Sequence, residues 1–269
     1  MPSEAPIGVI DSGAGGLSVL KKIRELMPNE ELIYVADSWF APYGDKSQQD
    51  VRHRCFENMG FFQLQHVKAL VLACNTATAA AVKEMREAFD LPIIGMEPGI
   101  KPASELTRTG VIGVLATSRT LDSNKYADLH NLYQDKVEII TQACPGLTNE
   151  IEKINPDRSE IVRLVTEYME EFLKKGGDTL VLGCTHYALI SDIIREIVGP
   201  DVVIVDTGMA VAKELRRRLL EHDLMSDSLK RARISFFTSG NVKDQKILLS
   251  RYWGEEIEVH HYLNFILSI

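Results

Sequence analysis

A short apolar run ending in cysteine occurs twice in this chain, and that repeat narrows the folds open to it more than any other feature. Ala69-Leu-Val-Leu-Ala-Cys74-Asn-Thr76 returns as Thr179-Leu-Val-Leu-Gly-Cys184-Thr-His186, with the two cysteines 110 positions apart. Ile7-Gly-Val-Ile-Asp11-Ser12 is echoed at a similar offset by Ile112-Gly-Val-Leu-Ala-Thr117. Two matches in the same order predict two similar lobes, residues 1–97 with 207–269 and residues 98–206, the C-terminal segment returning to complete the first.

The runs themselves read as strands: Ile7–Ile10, Leu32–Ala36, Ala69–Ala73, Pro92–Gly95, Val111–Leu115, Val137–Thr141, Thr179–Leu182 and Val202–Val205. Several are almost wholly apolar, as parallel strands covered on both faces must be. Longer amphipathic stretches lie between them, such as Asp50–Val67, with Val51, Cys55, Met59 and Phe62 at helical spacing, and Asp157–Lys175, closed by Gly176-Gly177. A last unit, Ile234–Phe237 then Val242–Trp253, suits an edge strand with a closing helix. The expected class is α/β, two lobes each with a mainly parallel sheet flanked by helices, and a site in the cleft between them.

Composition excludes several functions. With 45% hydrophobic residues and charge spread along the chain, disorder is not expected. No apolar run approaches the ~20 residues of a spanning helix, and MPSEAPIGVID lacks the pattern of a signal peptide, so no membrane role is expected. A net charge of −8 argues against a nucleic-acid partner, and Arg216-Arg217-Arg218 reads as the solvated side of a helix. The four cysteines, Cys55, Cys74, Cys144 and Cys184, form no CxxC pair and read as reduced thiols of a cytoplasmic protein.

The polar groups of interest follow apolar strands: Asp11-Ser12, Cys74-Asn75-Thr76, Thr117-Ser118 and Cys184-Thr185-His186. Ligands of open α/β sheets bind there, among helix N-termini that favour anions. Ser, Thr, Asp and Asn at such positions are also ordinary helix caps, and a Cys ending a strand is often a small buried hydrophobe. The turn Gly13-Ala14-Gly15-Gly16 matches neither GxGxxG nor GxxxxGK[ST]; tight turning and close approach to some anion suffice to explain it. His260-His261 is a poor metal pair, since neighbours on a strand point to opposite faces, and no metal is expected. Cys55 and Cys144 read as structural. If the lobes face each other, Cys74 and Cys184 approach one substrate from opposite sides, one thiolate removing a proton from carbon and the other thiol returning one to the opposite face. A helix N-terminus favours thiolate, with Asp11 near one sulfur and His186 near the other as groups that set protonation.

At these motifs the sequence resembles the glutamate racemases of the aspartate/glutamate racemase superfamily. The matching stretches are Asp11-Ser-Gly-Ala-Gly-Gly16, Ala41-Pro-Tyr-Gly44, Ala73-Cys-Asn-Thr-Ala77, Ala116-Thr-Ser-Arg-Thr120 and Gly183-Cys-Thr-His-Tyr187, spanning about residues 7 to 206. The resemblance implies interconversion of L- and D-glutamate without PLP or other cofactor, supplying D-glutamate for peptidoglycan, and a cytoplasmic homodimer. It also implies that Cys74 and Cys184 serve the two faces of the α-carbon, and that Asp11, Ser12, Pro42, Tyr43, Gly44, Asn75, Thr76, Thr117, Thr120, Thr185 and His186 hold substrate or tune the thiols. The family's glutamate after Cys144-Pro145 maps to Glu150 or Glu152, with Glu152 better spaced, and Asp206-Thr207-Gly208 departs from the usual pattern. A racemase for aspartate or another small acidic amino acid is the nearest alternative, since one methylene discriminates by only about 1–3 kcal/mol. A nonenzymatic two-lobed amino-acid binder is the other, and leaves two mirror-placed cysteines without a task.

Overall fold

The computed structural model describes residues 3–262; residues 1–2 and 263–269, both inside the expected first lobe, lie outside the described residues. Two separate parallel sheets organise the chain. One contains β1 (Ile7–Asp11), β2 (Leu32–Ala36), β3 (Ala69–Leu72), β4 (Ile93–Ile94), β9 (Ile234–Thr238) and β10 (Val259–His261), in the order β10-β9-β2-β1-β3-β4. The other contains β5 (Val111–Ala116), β6 (Glu138–Ala143), β7 (Thr179–Leu182) and β8 (Val203–Val205), in the order β6-β5-β7-β8. The first four strands of each sheet thus follow one topology, second-first-third-fourth, which is the structural counterpart of the sequence repeat.

Helices alternate with these strands: α1 (Leu17–Leu26), α2 (Gln48–Leu64), α3 (Asn75–Ala88), α4 (Ile100–Leu106), α5 (Ser118–Leu121), α6 (Asn124–Tyr133), α7 (Leu147–Ile151), α8 (Arg158–Lys174), α9 (Thr185–Ala188), α10 (Ser191–Val198), α11 (Gly208–Glu221) and α12 (Val242–Trp253). They cover both faces of each sheet, so alternate residues of one strand enter different cores. Ile7 and Val9 face one core of the first lobe and Ile10 the other; Ile112 and Val114 face one core of the second and Leu115 the other. This two-sided burial explains why the strands are apolar without alternation.

Local signals set most boundaries. Ser47 caps α2, its hydroxyl accepting from Asp50 N at 3.1 Å. That helix stops before the expected Val67 because His66 takes a left-handed conformation, φ 53°. Asp157 caps α8 by accepting from Ser159 N, and Gly176, at φ 70°, turns the chain out of it. The Arg216–Arg218 run lies on α11, where Arg217 pairs with Glu214 and Glu221 and Arg218 with Glu221, one turn away, the solvated side expected. One expectation is corrected. The strand at 234–238 is not an edge, because β10 pairs beyond it; the three-residue β10 was too short to stand out as a strand in the sequence. Within β10, His260 is exposed, whereas His261 is half-buried with Nε2 3.0 Å from the Ser239 carbonyl.

Candidate active site

In each lobe the first strand has its second and third strands on opposite sides, so the connections leave in opposite directions and open a crevice at the carboxyl edge. Both cysteines stand at that crevice. After β3, Ala73 N donates to the Ile10 carbonyl at 2.7 Å; after β7, Gly183 N donates to the Leu115 carbonyl at the same 2.7 Å. The next residues, Cys74 and Cys184, have matching extended conformations (φ −141°, ψ 123° and φ −140°, ψ 135°) and each begins a helix. Both are buried, at 6% and 7% exposure. The two sulfurs are close enough that charge on Cys184 bears on Cys74.

The second lobe surrounds Cys184 with ionisable partners. His186 Nδ1 lies 3.8 Å from Cys184 Sγ, and its Nε2 meets Glu152 Oε1 at 2.6 Å. The carboxylate contact assigns the Nε2 proton to a bond toward Glu152, leaving the Gly15 amide, 3.3 Å from the same nitrogen, a close neighbour and not a second donor to it. Burial alone would lower the imidazole pKa, but the bond toward Cys184 and the charges of Glu152 and Asp11 outweigh it and hold His186 well above its ordinary value. Glu150 lies elsewhere: its carboxylate takes Lys153 and the Asp157 amide.

The first lobe contributes the glycine turn and Asp11. Asp11 Oδ1 accepts from Gly13 N at 2.8 Å and Oδ2 from the Thr185 hydroxyl at 3.0 Å, so one carboxylate binds both lobes. Its burial raises the carboxyl to about 6, partly countered by the charge of His186. A β-carbon on Gly13 would collide with Glu152, and one on Gly15 with His186 and Thr185. The anion approached by this turn is therefore the chain's own: Ala14 N donates to Glu152 Oε1 at 2.6 Å. Cys74 Sγ accepts from Ala77 N at 3.5 Å, yet burial and the Asp11 charge push its thiol well above the usual range, overturning the expectation that the helix N-terminus would favour thiolate there.

Three hydroxyls bridge the lobes. Thr76 Oγ1 stands 3.0 Å from Thr117 Oγ1 and 3.2 Å from Thr120 Oγ1, which are themselves 3.0 Å apart. Ser12 is also buried, and Gly44 approaches Thr117 so closely that a β-carbon would contact its side chain. Asn75 is 4% exposed, and neither Nδ2 nor Oδ1 has a hydrogen-bond partner among the described residues. Tyr43 differs from the other expected substrate contacts: its hydroxyl donates to Asp37 Oδ2 at 2.6 Å, while the neighbouring Gly44 lies against Thr117.

Two residues that the motifs did not single out hold this loop and turn. Asp37 is fully buried and accepts from Arg54, Tyr43, Asn58 and Ser239. Tyr34 donates to the Gly13 carbonyl at 2.6 Å. Asp37 follows the apolar run of β2 as Asp11 follows β1, so the same signal would have found it. Among the described residues no group of three or more His, Cys, Asp or Glu side chains is arranged to hold a metal ion, and no helix is long and apolar enough to cross a membrane.

The model of the Asp/Glu/Hydantoin racemase family matches residues 7–215. The glutamate racemase of Ectopseudomonas mendocina is 47% identical over 259 residues, which cover 96% of this chain and 98% of that one. Among solved structures, a glutamate racemase isoform of Bacillus anthracis superposes with a TM-score of 0.87 at 36% identity, covering 96% of this chain and 97% of that one. Glutamate racemase of Escherichia coli, solved in complex with L-glutamate and the activator UDP-MurNAc-ala, superposes with a TM-score of 0.81 at 29% identity, covering 95% and 97%.

Proposed function

The chain belongs to the Asp/Glu/hydantoin racemase family, and from that premise we propose that it interconverts L- and D-glutamate by passing a proton between Cys74 and Cys184. The observation that carries this reading is the placement of two buried cysteines at equivalent crevices, each beside its own ionisable partner. Racemisation needs a base on one face of the α-carbon and an acid on the other. Cys74, kept protonated by burial and the Asp11 charge, is placed to act as the acid, and Cys184, beside His186 Nδ1, is placed to act as the base.

In this direction the Cys184 sulfur takes the α-proton, the carbon inverts, and Cys74 gives its proton to the other face. In reverse, Cys74 passes its proton to Asp11 and Cys184 takes one from His186; the Cys74 thiolate then removes the α-proton and the Cys184 thiol gives its proton to the opposite face. Glu152 fixes the imidazole through Nε2 and sustains its charge. Asn75, Ser12, Thr76, Thr117, Thr120 and Thr185, with the backbone of Pro42, Tyr43 and Gly44, hold the amino acid. The unsatisfied Asn75 amide and the cluster of three threonine hydroxyls fit its α-amino and carboxylate groups. The lobes are residues 1–97 with 207–269 and residues 98–206, supported by which strands enter which sheet. Four free thiols, two of them the reacting groups, suit a reducing cytoplasm, where the product enters peptidoglycan synthesis and the protein acts as a homodimer.

Incubation with L-glutamate in D₂O without added cofactor tests the reading, with the α-proton followed by NMR and optical activity by circular dichroism. Exchange with decay to the racemate is expected, and L-aspartate in parallel should exchange far more slowly. Cys74→Ser and Cys184→Ser should each lower kcat by about 10³-fold or more with the fold intact. Full turnover in either variant overturns the two-thiol mechanism. Exchange with aspartate alone moves the activity to that substrate.

A further inference from the structure

The turn that carries Glu152 is held from the opposite lobe. Glu152 directly follows α7, whose last carbonyls lack partners within the helix. Tyr252 OH donates to the Ile151 carbonyl at 2.9 Å, and the Arg251 guanidinium donates to the carbonyls of Lys153, at 3.2 Å, and Ile154. Both donors end α12, the helix between β9 and β10, and their three acceptors bracket Glu152 in sequence. The Tyr252 ring packs against the apolar cores of both lobes, and Trp253 sets the helix end on the first sheet by packing against Phe236 at 5.5 Å between ring centroids. Glu150, one turn position away, is fixed by Lys153 and Asp157 within its own lobe.

We propose that Tyr252 and Arg251 are positioning residues for the reaction: by clasping the carbonyls of Ile151, Lys153 and Ile154 they hold the Glu152 carboxylate against His186 Nε2. The inference rests on the roles given to Glu152 and His186 above. The charged or titratable groups facing His186 are Glu152 from the α7 turn, Asp11 from β1 and Cys184 beside it, while Tyr252 itself faces Arg251, Glu152 and Asp192. Loosening the clasp lets Glu152 drift from the imidazole, which removes support for the imidazolium and lowers the pH at which it loses its proton.

The test is the pH dependence of kcat and KM, in both directions, for Tyr252→Phe, Arg251→Ala, Arg251→Lys and Glu152→Gln, with thermal melts to confirm folding. Tyr252→Phe and Arg251→Ala should lower kcat about tenfold with KM nearly unchanged, and move the basic limb of the kcat profile down by about half a pH unit. Arg251→Lys, which keeps a donor in reach, should recover most of both, and Glu152→Gln should show the same signature more strongly. An impaired Glu152→Gln beside clasp variants of wild-type kcat and pH profile would overturn the proposal. So would a loss of kcat in the clasp variants with no movement of the limb. A Glu152→Gln enzyme of wild-type behaviour would instead remove the premise, and the proposal with it.

Discussion

Asp11 is placed where its folded-state chemistry and its contribution to stability oppose each other. Burial raises its carboxyl from 3.8 to about 6. Between those values the folded protein keeps a proton that the unfolded chain has already released, so stability falls as pH rises through the window and stays lower above it. On the linkage relation the loss is on the order of 3 kcal/mol. Asp11→Asn removes the titration. It should therefore raise the melting temperature relative to wild type at pH 7.5, with the gain shrinking toward zero near pH 4, and a pH-independent difference would contradict this account. The same substitution should lower kcat and abolish an acidic limb of kcat/KM near pH 6, because in the proposed reaction the carboxylate accepts the Cys74 proton.

At the scale of elements, the turn from β1 to α1 is shaped by what crosses from the other lobe. Gly13 and Gly15 leave room for Glu152 and His186, so Gly13→Ala or Gly15→Ala should lower kcat by about tenfold or more. Gly60, on α2 with open space around its α-carbon, is the contrast: Gly60→Ala should stabilise by up to about 1 kcal/mol and leave kcat unchanged. If the turn substitutions leave kcat at the wild-type value, the turn is not fitted to those side chains. These elements differ in how well the sequence displays them. β1, β2, β3 and β7 are legible because burial on both faces leaves no polar interruption. Asp11, Cys74, Thr117 and Cys184 are legible because each ends such a run. The partners of the glycine turn are not, since Glu152 and Gly13 are far apart in sequence and meet only when the lobes close. Nor is the use of the Tyr43 hydroxyl, which depends on Asp37 and Arg54 arriving from β2 and α2. β10 escaped because three residues carry too little pattern to be told from loop.

For the whole molecule, the decisive relation is between closure and access. Asp11, Cys74, Asn75, Thr76, Cys184, Thr185 and His186 are all buried, so an amino acid can reach them only when the lobes part. The chain passes between the lobes twice, before α4 and before α11, and the two passages pack side by side, Gly99 lying against Val205 and Thr207. Adjacent crossings permit rotation about one line without breaking either sheet. Opposing that motion are the Thr76–Thr117, Thr76–Thr120, Thr185–Asp11 and Ala14–Glu152 hydrogen bonds, with those of Tyr252 and Arg251 to the α7 turn. At about 1 kcal/mol each, this many ties hold the open state below about 1%. A disulfide reagent should then modify Cys74 and Cys184, in a chain with Cys55 and Cys144 replaced by alanine, more than about a hundredfold more slowly than an exposed thiol. Saturating glutamate should slow modification about tenfold further by favouring the closed state, and Thr76→Val should speed it by loosening the hydroxyl cluster. Modification at the rate of an exposed thiol, or a rate indifferent to both glutamate and Thr76→Val, would mean that substrate reaches the thiols without the lobes separating.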